Sequence, residues 1–498
     1  MKLNKLIYIA LISAGIFSGC TKDFQEINTD PRSIVRDIVK PQHLFTYAIK
    51  GFAFEVYNQA YSISSYSGYY KNPAAGNVFA NNDWSNPYNN FYRIYYNHLA
   101  EVVRLTDDNP NSSNMNAIAR IMKSMVMQHI TDLYGDVPYF EAALGLNTEV
   151  LQPKYDKQED IYIALLNEVK ESTEKLVVSA DQASFGNADL FYKNDIDKWI
   201  RFGNSLRLRM AMRVRYANPA LAAEHIKDVI TKPLMTENAH NMLLKTLDDG
   251  NTENENLMYT RNVTGPTNMV VSFTTTDLLK KLQDPRLPVF AKPNANGDYR
   301  GSPLQVEEDE GRYGDGNVSL MTSMFLGKVI PIVIMNASEI NLLRAEAANA
   351  NITSENAETL YNDGIRLAQS QYGVADAQTT ANLALPEVKL TGSEEEKLEK
   401  IINEKWIATY YNHYEGYAEF RRTGYPRIWT GTRLGATNGE IPRRLTYPDA
   451  EFLRNEANVK EAVSRLEGGN TLMSKVWWDK KPGLPLHHPK QGQFPPES

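Results

Sequence analysis

The chain has 498 residues with 60 acidic against 53 basic side chains, a net charge of −7, which excludes the basic footprint that a nucleic-acid surface needs. Its 42% hydrophobic and 23% charged content is that of an ordinary globular protein with ample core material, and excludes a chiefly disordered or fibrous chain. Cys20 is the only cysteine, so no intramolecular disulfide and no cysteine-based metal cluster can form.

The amino terminus comes first in chain order. Lys2 and Lys5 form a short positive region, residues 6–17 are almost unbroken apolar sequence, and Ser18 and Gly19 lead into Cys20. That is a secretory signal peptide over 1–19, too short to span a bilayer comfortably. A cysteine directly after small residues marks a lipoprotein acylated at Cys20, although Phe17 stands where Leu is usual. Acyl chains hold a protein to a membrane because each buried methylene contributes about 0.8 kcal/mol. Residues 20–40 form a polar tether, and nothing after them approaches 18 uninterrupted apolar residues, so no membrane-spanning helix is expected.

From residue 41 the chain reads as one mainly α domain to residue 498. A helical scaffold occupies mainly 41–235 and 336–423, and loop-rich stretches occupy mainly 236–335 and 424–498. Ile118, Ile121, Met122, Met125, Val126, His129 and Leu133 recur at helical spacing, giving a helix over 117–133 that Gly135 and Pro138 end. A second helix covers 158–177. Leu206 to Arg213 alternates like a strand, but Leu, Arg, Met and Ala are strong helix formers and no β-branched residue intervenes. Trp199, Phe202, Leu206 and Met210 then share a face, and the arginines form a solvated or ion-paired one. Near Asn336 two helices follow each other, with Ser354 the expected N-cap of the second. Small residues, Ala347, Ala348 and Gly364, let the two approach closely, as in a tetratricopeptide unit, although no clean 34-residue period runs along the chain. The Gly-, Pro- and Asn-rich stretches, with short apolar runs such as Val329 to Met335, predict loops, short helices and a small hairpin.

Catalytic and metal motifs are scarce. There is no G-x-S-x-G, no Walker loop and no H-E-x-x-H. His413-Tyr414-Glu415 has a deaminase-like spacing without the paired cysteines. His129, on an apolar stripe, reads as a core histidine, and Asp132 and Asp136 as braces of a turn. Glu307 to Glu310 with Asp315 reads as a solvated acidic loop and not as a calcium site. No catalytic residue, metal or cofactor is assigned. A glycoside hydrolase needs only two carboxylates close in space, so a surface hydrolase and a structural or adhesive lipoprotein stay open as alternatives.

Several ordered segments resemble the SusD/RagB family of surface lipoproteins. They are residues 129–139 (HITDLYGDVPY), 198–213 with the run Asn204 to Arg213, 284–288 (DPRLP), 342–347 (LLRAEA), 403–406 (NEKW), 415–426 (EGYAEFRRTGYP), 442–448 (PRRLTYP) and 477–479 (WWD). The resemblance implies four tetratricopeptide-like helix pairs covered by a loop-rich region. It also implies a non-enzymatic role: capture of an oligosaccharide or peptide on the outer membrane of a Bacteroidetes-type cell, as lid of a SusC-like TonB-dependent transporter. Lys22-Asp23 is similar to the family's surface-export signal. Related binders stack sugars on aromatics of an early loop and a central insertion. The corresponding expectations are Tyr66, Tyr69, Tyr70, Trp84, Asn86 and Tyr88, then Arg312 and Tyr313, with Trp84 foremost.

Overall fold

The computed structural model describes residues 39–58, 63–71, 85–143, 150–264, 269–304, 313–314, 316–431 and 436–485. The signal peptide, Cys20, Lys22-Asp23 and the acidic run 307–310 with Asp315 lie outside them. The described chain is mainly helical, the tetratricopeptide-like architecture expected. The longer helices are α1 (Pro41–Asn58), α2 (Asn97–Thr106), α3 (Ser113–Tyr134), α4 (Gln158–Glu174), α5 (Ile196–Arg213) and α6 (Pro219–Val229), each packed on the next. After α7 (Phe273–Lys281) come α8 (Ala337–Asn349), α9 (Ala357–Gln371), α10 (Glu394–Ala408) and α11 (His413–Thr423). Helix α8 packs on α9 and α10 and also touches α5, which joins the early and late helices.

Local chemistry sets these boundaries. The apolar stripe of α3 is buried, and so is the α5 face made by Trp199, Phe202, Leu206 and Met210. Asp195 caps α5, accepting from the Lys198 N–H at 3.2 Å. The cap of α9 is Asn356, which accepts from the Thr359 N–H at 2.9 Å, and not Ser354. Both side chains can cap, and the turn before α9 places its first helical residue at Ala357. A Cβ on Gly364 would lie 2.7 Å from Leu342 Cγ, so α8 and α9 approach as closely as the small residues suggested.

Arg207, Arg209 and Arg213 of α5 point inward and are paired, not solvated. Arg209 holds Glu339 of α8 through two bonds of 2.7 and 2.6 Å. Arg213 reaches Glu415 and Glu419 of α11 at 2.6 and 2.8 Å, and Lys405 of α10 reaches Glu415 at 2.5 Å. Arg422 of α11 closes back on Glu346 of α8 at 2.6 and 2.7 Å. All of these side chains are buried. Four helices are thereby held in one register by charges that would be costly to bury alone.

Strands are few and short. β1 (Tyr70–Lys71) pairs antiparallel with β3 (Val270–Val271), and β2 (Met242–Lys245) with β4 (Pro331–Met335). In place of the expected small hairpin, both pairings join distant segments, and the apolar run Val329 to Met335 supplies β4. No helix of the described residues is long and apolar enough to cross a membrane.

Candidate ligand-binding face

The two segments expected to supply aromatics meet at the β1–β3 pair. Tyr70 lies opposite Val271 and Lys71 opposite Val270. Val270 packs with Tyr313 and Val318 and bridges to Leu320, so the early segment ends beside the central one. Gly68, with φ +78°, makes the turn that leads into β1, and a Cβ there would strike Ile428 at 2.7 Å. Arg300 lies over the Tyr313 ring at 5.5 Å. Arg300 and the Val270–Val271 strand were not singled out from sequence; the β-branched pair Val270-Val271 was the available signal.

Most of the expected tyrosines turn inward. Tyr66, Tyr69 and Tyr70 have no exposed surface. The Tyr69 hydroxyl donates to the carbonyls of Trp406 and Thr409 at 3.0 and 3.1 Å, and the Tyr70 ring stacks on Tyr411 at 5.5 Å. Tyr66 packs against Tyr417 at 5.4 Å. Tyr88 is buried too, its hydroxyl 3.2 Å from that of Tyr155. Burial raises the pKa of the Tyr66, Tyr69 and Tyr88 hydroxyls, and of Tyr411 beneath Tyr70, so these stay neutral and serve the core. Asn86 is exposed, Tyr313 is 8% exposed at the edge of its small cluster, and Trp84 and Arg312 lie outside the described residues.

Other residues read from sequence take internal roles. His129 is buried, and its Nδ1–H donates to the Met125 carbonyl at 2.8 Å. Burial holds its imidazole down to about 4. His413 shares a hydrogen bond of 3.0 Å with Ser67 while Glu415 is engaged by Arg213 and Lys405, so the deaminase-like spacing serves packing. Asp132 accepts from Trp478 Nε1 at 2.8 Å, and Asp136 accepts from the Gln158 N–H at 2.8 Å. Both brace the end of α3. Among the described residues, no group of three His, Cys, Asp or Glu side chains is placed to hold a metal ion.

An aromatic cavity lies between α1, β4 and the start of α11, lined by Tyr57, Phe325, Tyr372, Tyr410 and Tyr411. Its volume is about 40 Å³, room for little more than one water, so it is a packing gap and not a sugar site.

Residues 33–448 match the SusD-like family model described as starch-binding and associating with the outer membrane. A solved chitin-binding protein is 30% identical, with a TM-score of 0.79 over 89% of this chain and 100% of its own. A chitin-binding SusD homologue from Flavobacterium johnsoniae is 23% identical, with a TM-score of 0.74 over 88% and 97%. A SusD homologue from Bacteroides uniformis is 25% identical, with a TM-score of 0.73 over 88% and 100%. No curated protein sequence matches the chain.

Proposed function

The chain belongs to the SusD-like family, and from that premise we propose that it is a lipid-anchored, non-catalytic protein that captures oligosaccharides at the outer surface of the cell. The observation that carries this reading is the β1–β3 junction, which brings the early and central loop segments side by side. Loops set on a rigid scaffold are where ligands are commonly met. Sugar is favoured over peptide because a relative 30% identical over its whole length is named for chitin binding.

Cys20 carries the lipid, and a TonB-dependent transporter of the SusC type is the partner beneath, with this protein as its lid. Trp84, Asn86, Arg312 and Tyr313 are the proposed contacts. An aromatic face at Trp84 fits the apolar C–H face of a sugar ring, while Asn86 and Arg312 orient hydroxyls.

The test is binding of the full-length chain, in detergent, to a panel of chitin, starch and peptide oligomers. A sugar oligomer is expected to bind and to be recovered uncleaved; binding of peptides alone, or turnover of the sugar, would displace this reading. Trp84→Ala is expected to weaken sugar binding about fivefold, the loss of ~1 kcal/mol of stacking, without lowering the melting temperature. Unchanged affinity would move the site off Trp84. Cys20→Ser is expected to release the protein from membrane fractions, and continued retention would refute the anchor.

A further inference from the structure

A second recess opens three residues beyond β3 and has no part in the site just described. Helix α7 supplies Thr274, Asp277 and Lys281 to its wall, α10 supplies Glu399 and Asn403, and the chain after α11 supplies Arg427. Its volume is about 310 Å³, at the lower end of the ~300–1,000 Å³ range typical of small-molecule sites. The wall is tied together on its inner side. The Trp429 N–H donates to Thr274 Oγ1 at 3.0 Å, and the Trp429 ring meets Phe273 edge-on at 4.4 Å. The Tyr425 hydroxyl donates to Glu395 of α10 at 2.8 Å.

The lining specifies what fits. Two carboxylates, Asp277 and Glu399, face two cations, Lys281 and Arg427, so the recess has no net charge to offer an ionic ligand. One opposite pair is already closed, Arg427 Nη2 lying 3.3 Å from Glu399. Asp277 and Lys281 stand one turn apart on α7, both exposed. Below them, Asn403 Oδ1 and Arg427 Nε are buried without a hydrogen-bond partner among the described residues. Buried polar atoms are normally paired. An orphan acceptor and an orphan donor lining one recess call for a ligand that both donates and accepts, as hydroxyl groups do. None of the lining side chains is aromatic, so a sugar ring entering here is not held by its face.

We propose that this recess is a second saccharide subsite, which takes a neutral, hydroxyl-rich sugar unit edge-on through hydrogen bonds. Asn403 Oδ1 accepts from one hydroxyl, Arg427 Nε donates to another, and Asp277 and Lys281 receive those at the rim. The subsite rests on the carbohydrate-binding reading above and adds a place and a charge class to it. A uronic-acid chain gains no net attraction from a recess whose two carboxylates and two cations balance, so a neutral unit is favoured.

Titration calorimetry on the full-length chain tests this with chitohexaose and maltohexaose as neutral probes and a galacturonate hexamer as the anionic one. Asn403→Ala and the double variant Asp277→Ala/Lys281→Ala are each expected to weaken the neutral probe that binds by roughly tenfold, about 1.4 kcal/mol. The double variant changes only exposed side chains, so it carries the test if Asn403→Ala does not fold. Wild-type affinity in the folded variants overturns the subsite. If Trp84→Ala alone loses affinity, sugar capture stands and the subsite falls. Tighter binding of the galacturonate hexamer than of either neutral probe overturns the charge class. Failure of the wild-type chain to bind either neutral probe removes both readings together.

Discussion

Arg422 and Arg300 show how differently the scaffold and the loop face use the same side chain. Arg422, in α11, makes four hydrogen bonds to the carboxylates of Glu346 and Glu419 at 2.6 to 2.9 Å and has no exposed surface. Arg300, beside β3, has among the described residues only the Tyr313 ring at 5.5 Å for its guanidinium. Charge in the scaffold is answered inside the protein and fixes the relation of α5, α8, α10 and α11. At Arg300 the charge is left available, whereas loop arginines that face the scaffold, such as Arg286 on Asp284 and Glu404, are answered like those of the helices. The difference explains why the arginine-rich segments that make the family recognisable say little about its ligand: they are committed to holding helices.

The largest effect expected from this contrast is in the scaffold. Glu346→Gln removes the charge that both Arg422 and Arg215 engage, Arg215 at 2.7 Å. Leaving a buried charge uncompensated costs roughly 3–5 kcal/mol, which urea unfolding will read as a lower midpoint with an unchanged slope. A loss below ~1 kcal/mol, the range of exposed pairs, would break the comparison.

Buried histidines sharpen the same point through pH. Burial holds His413 down to about 3 and His129 to about 4, against ~6.5 in an unfolded chain. The unfolded state therefore takes up protons first, so stability falls as pH drops from about 6.5 towards those values, by about 2 kcal/mol for each histidine at pH 5. Glu404 works in the opposite sense. Burial holds its carboxyl up to about 7, so between ~4.5 and 7 the folded state binds the extra proton and gains stability on acidification. The informative quantity is thus the difference between wild type and His413→Gln. The variant is expected to lose less stability than wild type between pH 7 and pH 5, and parallel losses would place His413 in contact with solvent.

Much of the scaffold was legible in the sequence, because helix periodicity is a local signal. The stripe from Ile118 to Leu133 and the helix-forming composition of Leu206 to Arg213 were enough to place α3 and α5. Less was legible wherever the deciding partner is remote. Tyr69 reads equally well as a loop aromatic or a core ring, and what settles it is the Trp406 and Thr409 carbonyls more than 300 residues away. The same holds for the strands: nothing near Tyr70 announces Val271, nor anything near Met242 its partner Met335. Ser354 against Asn356 is a smaller case, since two capping residues two positions apart differ only in where the turn delivers the chain. Asn403 lies within a recognisable segment, NEKW, yet only the fold reveals that its oxygen has no hydrogen-bond partner among the described residues.

The smallest expected effect probes the loop face directly. Arg300 makes one aromatic contact and no side-chain hydrogen bond or ion pair among the described residues, a contact worth about 0.5–1 kcal/mol at a partly exposed site. Arg300→Ala is therefore expected to lower stability by less than ~1 kcal/mol, since a single ring contact is all it removes. Sugar affinity should respond independently of stability, because the side chain stands beside Tyr313, where the central segment meets the early one. A stability loss approaching that of Glu346→Gln would mean that Arg300 is structural after all. A loss of sugar affinity at unchanged unfolding midpoint would place it with the residues that the loop face holds open to its ligand.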